Sequence, residues 1–196
     1  MWKQTIEYKI ENQAKLLKLL DRPSADIMAL AKDVKSGDSE NKEGTAARLY
    51  WPRLFGSNFI RDRFGDFPNE LLNYGYIILR AAVARSLVGS GLLPTLGVHH
   101  RNKYNAYCLA DDIMEPYRPY IDENVIQLME QYGNQDGISQ TVKAELLQIP
   151  VLDVIIDGRR SPLMIAVSNT VTSLYKCFSG ECRKLTFPKI QSIGTI

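Results

Sequence analysis

Several classes of protein are excluded by what this sequence lacks. Only three cysteines occur in 196 residues, and Cys177 with Cys182 has no second pair to complete a zinc site. We therefore expect idle thiols in a reducing cytosol. The net charge is only +2, so binding to nucleic acid cannot be inferred from overall charge and must depend on where the arginines lie.

We also expect neither a targeting segment nor a membrane-spanning segment. No apolar run approaches the roughly 20 residues that span a bilayer. The stretch from Met1 to Leu20 is too charged for a signal peptide. There is no internal repeat and no low-complexity tract. The pattern predicts a soluble, cytoplasmic protein without a membrane partner.

Apolar residues make up 45% of the chain, which is enough for a sizeable core. They recur at helical spacing through most of the sequence, and this predicts a mainly α, bundle-like domain. At most one small β-hairpin is expected, where Val151 to Ile156 alternates before an Asp157-Gly158 turn. We assign residues 1–188 to one helical domain and residues 189–196 to an unstructured tail.

The first helix, Trp2 to Leu20, is predicted to be amphipathic, with its lysines on the side away from the apolar residues. The longest apolar helix should begin at Asn69, as its cap, and form the buried centre. Pro52 is expected to kink or end the preceding helix, the one that contains Glu43, near Tyr50. The arginine-rich loop from Gly56 to Pro68 is interpreted as solvated or mobile.

One short run, Gly97 to Pro119, concentrates the residues that can carry chemistry. If Asn105 to Glu115 is helical, Asp112 and Glu115 lie at i and i+3 on one face, and the prolines that follow should break the helix just after Glu115. Such a hard anionic face suits a divalent ion, and His100 could add a ligand with some preference for manganese over calcium. A solvated acidic helix end is the alternative.

Glu43 lies in the first turn of another predicted helix. Taken alone, it is interpreted as an acid that favours a helix N-terminus. Its neighbourhood belongs, however, to a set of three strings: EGTAARLYW, NELLNYGYIILRAAVAR and GLLPTLGVHHRNKYNAYCLADDIMEPYRP. In order, spacing and local residues, these strings resemble the CRISPR-associated integrase, the universal endonuclease subunit of spacer acquisition, in its type II form.

The resemblance implies a metal site for Mg²⁺ or Mn²⁺. Carried over by position, its ligands and catalytic residues are Glu43, His100 and Glu115, and Asp112 assists in the same site. His99 is one residue out of register with the family's Gly-x-x-His, so we expect it to pack against a helix or cap a backbone group. Candidates for holding DNA phosphates or supporting the ligands are Arg48, Asn102, Asn105 and Arg118.

The resemblance also implies an activity and partners. The activity is that of a metal-dependent DNA endonuclease and integrase, which joins prespacer 3′ ends to the CRISPR array. The partners are prespacer and repeat–leader DNA, the small ferredoxin-like adaptation subunit, and a second copy of the chain. The family's N-terminal β-rich domain mediates much of the dimer contact. No strand-rich segment precedes the helices here, so we expect a mostly monomeric or weakly dimeric chain that is impaired in integration.

Two alternatives stay open. One is a helical DNA-binding or assembly module without activity. The other is a helical metal phosphohydrolase, although the histidine-aspartate type needs an adjacent His-Asp pair that this sequence lacks. For the metal site itself, affinity for manganese should fall as pH drops through about 6.5. Replacing Glu43 or Glu115 with alanine should cost little stability, because the carboxylates would repel each other without metal.

Overall fold

A computed structural model describes residues 1–133 and 137–191 of the chain. Within these residues the fold is mainly helical, with a single two-stranded antiparallel sheet, which confirms the predicted fold class. The helices are α1 (Trp2–Leu19), α2 (Ala25–Lys32), α3 (Lys42–Phe55), α4 (Asn69–Gly89), α5 (Cys108–Met114), α6 (Arg118–Tyr132), α7 (Gln140–Leu146) and α8 (Leu163–Phe178); the strands are β1 (Asp153–Ile156) and β2 (Arg159–Pro162).

α4 is the central helix of the domain, as predicted. It packs against α5, α6 and α8, and it buries Leu72, Leu79, Val83 and Leu87 completely. By length and composition alone this 21-residue helix could cross a bilayer, so the expectation that no segment approaches that length was wrong. Packing against three other helices accounts for its apolar character in this fold.

α1 is fixed against the turn that joins α5 to α6. Asn12, which is fully buried, donates from Nδ2 to the carbonyl oxygens of Pro116 at 2.8 Å and Pro188 at 3.0 Å. Its Oδ1 accepts from the backbone N–H of Ile190 at 3.0 Å. Ile190 is therefore packed into the core although it lies in the predicted tail, while residues 192–196 lie outside the described residues.

Prolines interrupt the helices less than expected. α3 continues through Pro52 to Phe55; the carbonyl that loses its donor belongs to Arg48, an exposed residue, where water can replace the bond. Glu115–Tyr117 forms a 3₁₀ turn, and Pro119 lies in the first turn of α6, where its missing N–H costs no helical hydrogen bond. The predicted break after Glu115 is thus a tightened turn between two nearly continuous helices.

α5 begins at Cys108, three residues after the predicted start at Asn105. The side chains of Asn102 and Asn105 accept the backbone N–H groups of Tyr104 at 3.0 Å and Tyr107 at 2.9 Å. These local turns compete with a helix and delay its start.

Asn69 is the first residue of α4 and not its cap. Its Oδ1 accepts from the guanidinium of Arg61 and the backbone N–H of Asp62, each at 2.9 Å, and its Nδ2 donates to the Ile60 carbonyl at 3.0 Å. The loop predicted as solvated or mobile is exposed at Phe64, but these bonds anchor its centre to α4.

The predicted hairpin is confirmed. Strand β1 pairs with β2 in a register that places Val154 opposite Ser161. Asp157 and Gly158 both have positive φ, 50° and 73°, as a tight two-residue hairpin turn requires. From its polar composition, the stretch from Tyr132 to Ser139 is predicted to be a turn, and residues 134–136 of it lie outside the described residues.

Candidate metal centre

Glu43 is placed by the start of α3, which other residues cap. Asp38 accepts the backbone N–H groups of Lys42 at 2.8 Å and Glu43 at 3.1 Å, and Asn41 accepts that of Gly44 at 3.0 Å. A Cβ at Gly44 would come within 2.7 Å of the Asn41 side chain, so glycine lets Asn41 fold back over the helix end. The Glu43 carboxylate is therefore not needed as a cap and is available for another contact.

That contact is with Lys9, which joins Glu43 to Glu115. Lys9 Nζ lies 2.5 Å from Glu43 Oε1 and 2.5 Å from Glu115 Oε2, and its side chain is only 11% exposed. The two carboxylate oxygens, which come from distant parts of the chain, can be no farther apart than the sum of these distances. Burial alone would lower the pKa of Lys9, but the charges of Glu115 and Glu43 raise it overall.

Glu115 is almost completely buried and has a cation beside each oxygen. Arg118 Nη2 lies 2.9 Å from Oε1, and Lys9 Nζ lies beside Oε2. Burial opposes ionisation, but Arg118 and Lys9 lower the pKa of Glu115 below its ordinary value. The expectation that Glu43 and Glu115 would mainly repel each other without metal is therefore wrong. Truncating Glu115 would leave Arg118 without this partner and Lys9 with one carboxylate fewer.

Asp112 organises the loop that carries both histidines. Its buried carboxylate accepts the backbone N–H groups of His99 at 2.8 Å and His100 at 3.3 Å, and its Oδ1 lies 2.5 Å from His100 Nδ1. Gly97 permits this close approach, because a Cβ there would lie 2.4 Å from the His100 carbonyl oxygen and 3.0 Å from Asp112 Oδ2. With Nδ1 held by Asp112, Nε2 is the nitrogen that His100 can offer to a metal.

Trp2 contacts the two histidines in different ways. The ring of His99 stacks on Trp2 with centroids 4.2 Å apart and an interplanar angle of 1°. His100 meets the same indole edge-on at 5.7 Å and 85°. His99 thus packs against α1, the arrangement predicted for it. The hydrogen bond with Asp112 raises the pKa of His100, and burial opposes that shift.

The predicted ligands come together only in part. Glu43 and Glu115 meet at Lys9, and Asp112 contacts His100, whose charge interacts with that of Glu115. Within residues 1–133 and 137–191, no three His, Cys, Asp or Glu side chains form a group that could hold a metal ion. Metal binding by these four residues therefore stays a prediction, and both oxygens of Asp112 already accept hydrogen bonds from the histidine loop.

The other predicted site residues occupy different positions. Asn102 and Asn105 shape the loop before α5, and Asn105 Nδ2 also donates to Asp111 Oδ2 at 2.7 Å. Arg48 is exposed on α3. Arg118 contacts a predicted ligand, Glu115, which makes it the best placed of the four to support the centre.

A groove of about 480 Å³ beside Arg118 extends the positive charge around the centre. Its chemistry is dominated by guanidinium groups, two of which lie over the ring of Tyr76: Arg118 at 4.7 Å and Arg61 at 5.3 Å from the centroid. Arginines held in this way are suited to phosphate oxygens. The groove is lined by Arg61, Arg63, Asn73, Tyr76, Ile77, Arg80, Met114 and Arg118.

Asp122 is another buried carboxylate, and it lies behind this groove. It accepts a hydrogen bond from the hydroxyl of Tyr50 at 2.7 Å and a shorter one from the hydroxyl of Tyr76. Burial raises the pKa of Asp122 to about 6, although the two tyrosine hydrogen bonds act in the opposite direction. Asp122 therefore positions Tyr76, on which the two guanidinium groups rest.

Three residues around the site, Lys9, Trp2 and Asp122, were not predicted from the sequence. A signal existed for Lys9, because it lies on the stripe of α1 that faces the core and not with the solvated lysines. The positions on that stripe recur at helical spacing, and a lysine among them must be paired. The stripe consists of the buried residues Trp2, Ile6, Gln13 and Leu16 and, between them, Lys9, whose side chain is 11% exposed.

The part of the chain that carries the candidate site also matches a known protein family. Residues 1–148 match the family described as CRISPR associated protein Cas1. The CRISPR-associated endonuclease Cas1 of Neisseria meningitidis serogroup C is 36% identical over 196 residues, which cover 97% of this chain and 63% of that protein. A CRISPR-associated endonuclease Cas1 of Francisella tularensis subsp. novicida is 30% identical over 169 residues, which cover 79% of this chain and 53% of that protein. The chain thus spans less than two thirds of either relative.

Solved structures share the fold. A casposase bound to an integration product has a TM-score of 0.79 at 24% identity, and the match covers 94% of this chain and 61% of the casposase chain. A CAS1 protein from Thermotoga maritima has a TM-score of 0.76 at 18% identity, covering 92% and 65%. A chain of a Cas6-RT-Cas1–Cas2 complex has a TM-score of 0.71 at 20% identity, covering 92% and 24%. The family model matches residues 1–148, well over half of this chain. The chain therefore belongs to the Cas1 family of CRISPR-associated proteins.

Proposed function

We propose that this chain carries the catalytic part of a DNA endonuclease and integrase of CRISPR spacer acquisition, dependent on Mg²⁺ or Mn²⁺. The observation that carries the proposal is the meeting of Glu43 and Glu115 around one cationic group, beside His100, whose Nδ1 is held by Asp112. The names of the relatives, CRISPR-associated endonucleases, support the same activity.

The residues present fit a small, hard divalent ion. Carboxylate oxygens with one imidazole suit Mg²⁺ and Mn²⁺, and the nearby Cys108 sulfur faces the carbonyl oxygens of the histidine loop instead. Glu115 Oε2 is buried, and the ammonium group of Lys9, 2.5 Å away, is the cation that compensates it. Glu43, Glu115 and His100 would hold the ion, which when bound would neutralise charge on the scissile phosphodiester.

The other residues prepare the site. Asp112 holds His100 in the orientation and tautomer that leave Nε2 free. Arg118 and the arginine groove hold the phosphates of the bound strand. The attacking group is the 3′ hydroxyl of a prespacer, and the same residues could direct a water molecule in hydrolysis.

Substrates and partners follow from the relatives and from the fold. A casposase of similar fold is bound to an integration product, and another similar chain belongs to a complex that contains Cas2. We extend these associations to this chain: prespacer and repeat–leader DNA as substrates and the small ferredoxin-like adaptation subunit as partner. A homodimer is proposed for full-length members of the family. These components would meet in the cytoplasm.

Strand transfer of a labelled prespacer into repeat-containing DNA, in the presence of Mn²⁺, tests the proposal. Glu43→Gln and Glu115→Gln should each reduce joining to background. Glu7→Gln is the matched control, because Glu7 pairs with Lys3 at the surface of α1. Wild-type joining by either active-site variant would overturn the assignment.

A dideoxy 3′ end separates the chemical alternatives. It should stop joining, while nicking that persists would identify hydrolysis by water. A wild-type chain that neither joins nor nicks DNA, and binds no Mn²⁺ by calorimetry, would instead be the DNA-binding or assembly module without activity.

A further inference from the structure

We infer that Lys9 competes with the divalent ion for Glu43 and Glu115, so that the centre takes up its metal together with a DNA phosphate. The inference rests on the proposed function and adds a positioning residue to it. Its basis is geometric: one ammonium group touches both carboxylates that the metal would need.

The position of Lys9 is built into the fold. Asn12 lies one turn farther along α1, and its three hydrogen bonds tie that helix to the turn carrying Glu115 and to the segment Pro188 to Ile190. At the other end of α1, Trp2 packs against both histidines. The helix is thus held at both sides of the centre, and Lys9 reaches it from a fixed backbone.

Charge makes the competition strong. Glu43 and Glu115 carry two negative charges, and Lys9 and Arg118 carry two positive charges, so this cluster is neutral without a metal. A divalent ion added to the same space would create a large excess of positive charge in a largely buried site. Lys9 must therefore leave its place between the carboxylates when the ion enters.

A bound phosphodiester offers Lys9 a second partner. The lysine stem has four flexible carbons, so its ammonium can move from the carboxylates to a neighbouring phosphate oxygen. The phosphate also balances the charge of the ion. Metal and DNA should consequently strengthen each other's binding by the same factor, as linkage requires.

Calorimetric titration with Mn²⁺ at one fixed pH tests the inference. The titrations compare wild type, Lys9→Met and Lys15→Met, with and without a single-stranded oligonucleotide ending in a dideoxynucleotide. Lys15 is the matched control, because it lies on the same helix and, among the acids of residues 1–133 and 137–191, pairs only with Glu11. Without DNA, Lys9→Met should bind Mn²⁺ at least about tenfold more tightly than wild type. DNA should tighten binding to wild type and to Lys15→Met but much less to Lys9→Met.

A charge-retaining variant separates competition from packing. Lys9→Arg should bind Mn²⁺ no more tightly than wild type; binding as tight as in Lys9→Met would overturn the inference. So would equal or weaker binding in Lys9→Met. If Lys9→Met is unfolded without metal, circular dichroism should show Mn²⁺ restoring its helices, and failure to do so counts against the inference.

The two proposals fail in different ways. Binding of Mn²⁺ that is lost in Glu115→Gln but unchanged in Lys9→Met would leave the metal centre standing and reject the role of Lys9. Absence of Mn²⁺ binding in wild type and Lys9→Met, with and without DNA, would reject both.

Discussion

Glu115 and Asp122 are both buried carboxylates, at 3% and 1% exposure, yet the fold shifts their pKa values in opposite directions. Burial raises the pKa in both. At Glu115 two cations, Arg118 and Lys9, outweigh it and lower the pKa. At Asp122 the nearest partners are the neutral hydroxyls of Tyr50 and Tyr76, and the pKa rises to about 6.

This difference shows that the kind of donor, and not burial alone, decides what a buried acid can do. Surrounded by cations, Glu115 stays anionic, and in the proposed function it exchanges one of them for a metal ion. Held by hydroxyl donors, Asp122 serves the architecture behind the arginine groove. Both acids act on Arg118: burial alone would lower the pKa of its guanidinium, but the charge of Glu115, with a smaller contribution from Asp122, raises it overall.

The largest expected effect is on activity. Glu115→Gln should reduce strand transfer to background, because it removes a proposed metal ligand. Asp122→Asn, an equally small change in a buried acid, should lower it by no more than about tenfold, as expected for a residue that acts through others. Strand-transfer rates of the two folded variants check this, and the opposite ranking would reverse the roles given to the two acids.

The two adjacent histidines allow a similar comparison, because His100 is a proposed metal ligand and His99 packs against Trp2. His100→Ala should abolish Mn²⁺ binding, whereas His99→Ala should weaken it by no more than about tenfold. Because a bound imidazole must be unprotonated and Asp112 raises the pKa of His100, affinity should fall as pH drops through a value above 6.5.

Titrations at several pH values provide the measurement, and His99→Ala should keep the wild-type profile. Loss of binding in His99→Ala with binding spared in His100→Ala would contradict the assignment.

Stability should depend on pH with opposite signs at the two acids. The pKa of Asp122 is about 6 in the folded state and 3.8 in the unfolded chain, so between pH 3.8 and about pH 6 the folded state binds this proton more tightly. The free energy of unfolding of wild type should therefore fall relative to Asp122→Asn as pH rises through this window, by about 3 kcal/mol. The folded-state pKa of Glu115 is below its ordinary 4.5, so its contribution is present above 4.5 and is lost as pH falls further.

Urea unfolding of wild type, Asp122→Asn and Glu115→Gln in metal-free buffer at a series of pH values measures both slopes. Slopes of the same sign for the two acids would show that the proposed distinction between charged and neutral partners is wrong.

The smallest effect concerns a single hydroxyl. Tyr50→Phe removes one donor to Asp122 inside the fold and should lower the free energy of unfolding at neutral pH by about 2 kcal/mol. Tyr104→Phe changes a side chain that is 85% exposed and serves as the control, with no expected change. Denaturant midpoints compare the two, and equal stability would mean that the Tyr50 hydroxyl contributes little to holding Asp122.

Local pattern was sufficient for much of the architecture. Helical spacing of apolar residues predicted α4 as the buried centre, and Asp157-Gly158 predicted the hairpin, because periodicity and positive φ are properties of neighbouring residues. Errors occurred where side chains compete with the backbone: Asn102 and Asn105 delay α5, and Asn69 bonds to the preceding loop and does not cap α4.

The candidate ligands could be read from motifs, but their partners could not. Spacing and family resemblance selected Glu43, His100 and Glu115. That Lys9 lies between two of them depends on how α1 packs against α3 and the turn at Glu115, and no separation along the chain encodes this. The same holds for Asp122, since whether a buried acid meets cations or hydroxyls depends on which side chains distant helices bring to it. Electrostatic interactions depend on the distances between charged groups in space, and those distances are fixed only when the apolar faces of the helices have packed together.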